Sequence, residues 1–105
     1  MMYATKLIDS ARRRAQLDSD YALAARLSEL GAVGGEGAAP RKAVSRWRSG
    51  QIKPSGAAVI ALAKLARIKP GDALASIEAD YAESAAVERA WRNLLRDARR
   101  GRVKR

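Results

Sequence analysis

Apolar positions recur at the helical period along most of the chain. Ala4, Leu7, Ile8, Ala11 and Ala15 stand three or four residues apart, which predicts a first amphipathic helix running from Ala4 to Leu17. DSD at 18–20 supplies a break and an N-cap, Ser19 or Asp18, for a short second helix carrying Leu23, Ala24 and Leu27 on one side. That helix extends to Leu30 at most, with Gly31 as its closing residue. SELGAVGGEGAAP, residues 28–40, holds four glycines and reads as a loop.

Pro40 suits the first turn of a third helix, RKAVSRWRS, which Gly50 ends. Ala57 to Ile68 is apolar around most of its circumference and predicts a buried fourth helix. Lys69-Pro70-Gly71-Asp72 is a turn with a cap, and Ala73, Leu74 and Ile77 open a fifth helix with acidic exposed positions at Glu78, Asp80, Glu83 and Glu88. A last stripe, Val87, Trp91, Leu94, Leu95 and Ala98, predicts a C-terminal helix before GRVKR trails off. No strand pattern and no internal repeat occur, so the fold class is all-α.

In 105 residues there is room for one core. Residues 1–82 form the expected domain, and 83–105 a C-terminal helix with a basic tail. No stretch approaches the roughly 18 consecutive apolar residues of a membrane span, and no long apolar signal core follows Met1. The expectation is a soluble, cytoplasmic protein. Cys and His are both absent, which removes disulfides, Cys or His metal sites and imidazole-based triads. Neither an enzyme nor a cofactor site is expected, and no small-molecule pocket is inferred.

Charge narrows the partner. Lys and Arg number 21 against 11 acids, a net charge of +10, which favours a polyanion. At 100° per residue the third helix puts Val44 and Trp47 on one side with Pro40 and Ala43, and Lys42, Ser45, Arg46 and Ser49 on the other. Arg41 and Arg48 fall on the flanks. Burying Val44 and Trp47 contributes about 1.5–3 kcal/mol each, enough to dock that side and hold the basic side outward. Small serines beside long cations suit the DNA major groove, where Arg pairs bidentately with guanine.

A short helix, a turn, this helix and a buried helix after it follow the order of a helix-turn-helix unit. DYALAARL, AVSRWRSGQIKPS and AVIALAKLARIKPGDAL resemble the motif helices and following helices of the Cro and lambda-repressor-like (XRE-type) regulators, particularly short phage-related members. The resemblance spans most of the chain. It implies a five-helix DNA-binding domain with an additional C-terminal helix. It also implies base contacts from Arg41, Lys42, Ser45, Arg46 and Ser49, and backbone contacts from Tyr21, Arg48, Gln51 and Lys53.

Two features depart from the family. Leu27 and Val44 stand 17 positions apart, so the turn inside the motif is long and Gly-rich. Asp20 is an acid where phosphate is near; it is expected to serve the helix N-terminus and turn from DNA.

The function that follows is transcriptional regulation, most simply repression, through an operator bound as a homodimer reading half-sites about 34 Å apart. Ile77, Val87, Trp91, Leu94 and Leu95 are the candidate dimer interface. A rival reading is a protein-interaction adaptor or antitoxin-like protein using the acidic 72–88 region and the apolar C-terminal stripe.

Overall fold

In the computed structural model, which describes residues 2–32 and 40–103, all the regular structure is helical. The six helices are α1 (Tyr3–Arg14), α2 (Asp20–Glu29), α3 (Pro40–Ser49), α4 (Gly56–Ala66), α5 (Pro70–Asp80) and α6 (Ala85–Val103). Residues 33–39 of the Gly-rich stretch lie outside the described residues, as does the side chain of Arg41.

Three helices start on serine. The hydroxyls of Ser19, Ser55 and Ser84 accept from the backbone N–H groups of Ala22 (3.0 Å), Ala58 (3.2 Å) and Val87 (3.2 Å), each satisfying a donor the helix leaves open. Of the two capping candidates in the DSD stretch, Ser19 is therefore the cap.

Four helices end alike. Leu17 N–H donates to Arg12 O, Ala32 to Leu27 O, Gln51 to Arg46 O and Ile68 to Ala63 O, and the residue before each donor has a positive φ: Gln16 (57°), Gly31 (72°), Gly50 (80°) and Arg67 (59°). This closure stops α1 at Arg14 and α4 at Ala66, short of the expected Leu17 and Ile68, because the left-handed residue reverses the chain. Leu17 and Ile68 then fold back against the core.

The centre of the molecule is α4, whose Ala58, Val59, Leu62 and Ala63 are fully enclosed by α1, α2 and α5. Its alanines let the neighbouring backbones approach closely. Against α2 and α1 lies α3, while α6 packs on α5 alone among the described helices.

Two expectations about the C-terminal region need correction. Ile77 is buried in the main core and Leu95 is buried against α5, so neither is free to meet a second copy. A stripe read from one helix shows that a face is apolar, not which neighbour already covers it. The chain also stays helical through Val103 rather than trailing off after residue 100. No helix among the described residues is long and apolar enough to cross a membrane.

Candidate nucleic-acid interface

The two sides of α3 are cleanly divided. Val44 and Trp47 are 0% and 4% exposed and belong to the core, whereas Lys42, Ser45, Arg46 and Ser49 are exposed together. Lys42 and Arg46 form no ion pair with any described residue. The Ser49 hydroxyl donates to the Arg46 carbonyl at 3.1 Å, within its own helix.

Arg48 has a different environment. Its Nε donates to Asp20 Oδ2 at 2.7 Å, and its Nη2 to Asp20 Oδ1 at 2.9 Å and Asp9 Oδ1 at 2.7 Å. Asp20 takes a further bond from Arg12 Nη1 at 3.2 Å. Four side chains from three helices thus form one network that fixes the end of α3 on α1 and α2. Hydrogen bonding from Arg48 holds the Asp20 carboxyl below the usual carboxylate range, more than offsetting partial burial. The same bonds, led by those Arg48 donates to Asp20, raise its guanidinium above the ordinary value.

This changes the expected role of Arg48. Its donors face two carboxylates, so it braces α3 instead of standing ready for phosphate. Asp20 does lie in the first turn of α2, but its carboxylate is held by two guanidiniums while Ser19 caps the helix. Lys53 is likewise paired, Nζ to Glu78 Oε1 at 2.7 Å, tying the turn after α3 to α5. Tyr21 and Gln51 are exposed.

Lys42, Ser45, Arg46 and Ser49 therefore share one open surface, with Arg48 and Lys53 engaged at its edge. The run Arg12, Arg13 and Arg14 reads from the sequence as the solvated outer face of the first helix, which gives no sign of the bond from Arg12 to Asp20, and nothing local singles out Asp9. Arg48 and its partners are 28 and 39 positions apart, a separation that helical periodicity does not register. No family model, curated protein or solved structure matches the chain.

Proposed function

We propose that the chain is a sequence-specific double-stranded DNA-binding protein, a transcriptional regulator of the lambda-repressor-like kind, with α3 as the helix that enters the major groove. One observation carries this reading: Lys42 and Arg46 on the exposed face of α3 form no ion pair with a described residue, while Arg48 at the edge of that face is clamped. An exposed cation with no acid beside it keeps its donors for a ligand. The clamp and the buried Val44 and Trp47 keep the helix from rotating, so those donors are pre-positioned. A helix of 10 residues is about 15 Å long and fits a groove about 12 Å wide.

In this reading a homodimer places one α3 in each of two half-sites, and the exposed Val87 and Leu94 of α6 meet their copies. Beside Leu94, the residues Pro70, Gly71, Ala75 and Ala98 line an apolar groove of about 480 Å3.

The decisive experiment is duplex selection from a random pool, then replacement of Lys42 and Arg46 by alanine. Each good bidentate base contact is worth about 1–3 kcal/mol, so affinity for the selected duplex should fall at least tenfold while the helical circular-dichroism signal stays intact. Unchanged affinity would remove α3 as the reading helix. Failure to enrich any sequence would favour the protein-adaptor role.

A further inference from the structure

Arg92, Arg96 and Arg99 of α6 line a cleft of about 360 Å3 together with Leu95, Tyr3 of α1 and Ser76 of α5. Spacings of four and three put the three guanidiniums on one side of α6, roughly opposite the Val87 and Leu94 edge. Arg89 and Arg100 fall on the same arc.

These arginines differ in freedom as the cations of α3 do. Arg92 is held: its Nε donates to Glu88 Oε2 at 2.9 Å and its Nη2 to Asp80 Oδ1 at 3.2 Å. Asp80 also accepts from the backbone N–H of Tyr3, so one carboxylate joins the start of α1, the end of α5 and α6. Arg96 approaches Asp97 only to 3.9 Å, too far for a hydrogen bond. Arg99 forms no ion pair with any described residue.

The remaining acid acting on the cleft is Asp72 of α5. Burial first, and the field of Asp72 next, raise the Tyr3 phenol above its ordinary value against the smaller opposing effects of Arg99 and of a hydrogen bond with Ser76, and the neutral hydroxyl is a donor at the mouth of the cleft.

The position of the cleft matters as much as its charge. Thr5 Oγ1 donates to the Arg48 carbonyl at 3.4 Å, and a Cβ placed on Gly50 would lie 3.1 Å from Met2 Sδ. The start of α1 therefore touches both the C-terminal end of α3, through Met2 and Thr5, and the α6 cleft, through Tyr3.

The geometry points to a second phosphate-binding site, in which Arg96, Arg99 and the Tyr3 hydroxyl hold a phosphodiester of the DNA backbone beside the groove that takes α3. Arg92 is its positioning residue, keeping Tyr3 and α6 together. The site rests on the DNA-binding reading and deepens it. It adds affinity without reading sequence, since backbone contacts position a protein but carry no base information. A free phosphate ion shares this chemistry, and the test separates the two sources.

The full chain and its R96A/R99A variant are titrated with a selected and a scrambled duplex between 50 and 200 mM salt. The slope of log affinity against log salt should fall by about 1–2 on both duplexes, as each lost phosphate contact removes about 0.9. A slope equal to that of the parent chain, with the helical signal intact, overturns the site.

Inorganic phosphate is titrated in parallel, read by the amide NMR signals of Tyr3 and Ser76. Saturation of those signals combined with an unchanged DNA slope assigns the cleft to a free phosphate ligand and also overturns the DNA proposal. The α3 reading is tested separately by sequence preference. Loss of preference in K42A/R46A with an unchanged slope in R96A/R99A defeats only the α6 site. A reduced slope with no sequence preference defeats only α3. Absence of binding to any duplex defeats both.

Discussion

On α3 the two large apolar side chains, Val44 and Trp47, are buried between α1 and α2; on α6, Leu95 is buried but Leu94 beside it is 58% exposed. Both helices carry an arginine held by two carboxylates, Arg48 by Asp9 and Asp20, and Arg92 by Asp80 and Glu88. The supports of Arg48 come from two other helices, whereas one of those of Arg92 lies one turn away on α6 itself. The brace on α3 therefore constrains its orientation against two helices of the core, and the one on α6 ties α6 to the end of α5 alone. A rigidly held helix suits base readout, where misplacement is costly. One fixed to a single neighbour suits contacts to a uniform backbone.

The largest effect should separate the apolar anchors. Trp47→Ala removes a core indole and should cost about 3–5 kcal/mol, a large share of the 5–15 kcal/mol typical of whole domains. Trp91→Ala, at a half-buried position on α6, should cost less than about 2 kcal/mol. Urea unfolding of both variants measures the contrast. Equal losses would mean that α6 is as integral to the core as α3.

A smaller effect separates the braces. Arg48→Ala leaves Asp20 and Asp9 without their principal partner, and with the arginine side chain 26% exposed the loss should be about 1–2 kcal/mol. Thermal unfolding should shift by roughly 4–8 °C per kcal/mol for a domain of this size. Arg92→Ala should shift it less, because Asp80 keeps its bond from Tyr3.

Acid sharpens the assignment. The folded-state carboxyl of Asp20 is depressed, so its contribution is present above the unfolded value of about 4 and disappears as pH falls through the lower folded value. The gap between parent and Arg48→Ala melting temperatures should therefore be full at pH 6 and narrow below about pH 4. A gap that stays constant to pH 2 would show that Asp20 is not the partner that matters.

These braces mark how far the sequence could be read. Periodicity located the helical segments, and the alternation of Val44 and Trp47 with Lys42, Ser45 and Arg46 divided α3 correctly into buried and exposed sides, because both are local properties of a 3.6-residue repeat. Gly31 and Gly50 were readable as closing residues for the same reason. Gln16 and Arg67 were not, since neither residue type favours a positive φ and each is held there by the fold. Arg48 could be placed on a flank but not paired, and Ile77 could be placed on an apolar stripe but not assigned to the core. Both depend on how helices distant in sequence come together.

The smallest effect on stability should come from Leu94, where the expected change is in association. Leu94→Ser alters an exposed position and should leave unfolding within about 0.5 kcal/mol of the parent chain. A 19-residue helix is about 28 Å long, and a contact strip about 10 Å wide along it covers roughly 300 Å2 per copy, well under the roughly 800 Å2 usual for a stable pair. The free chain should therefore pair weakly, and two copies should pair firmly only when adjacent half-sites hold them together, where the effective concentration is high. Leu94→Ser should accordingly abolish cooperativity on a two-half-site duplex while leaving affinity for a single half-site unchanged, measured by titration of each. If cooperativity survives, α6 contributes to the complex through its arginines alone and the two copies meet elsewhere.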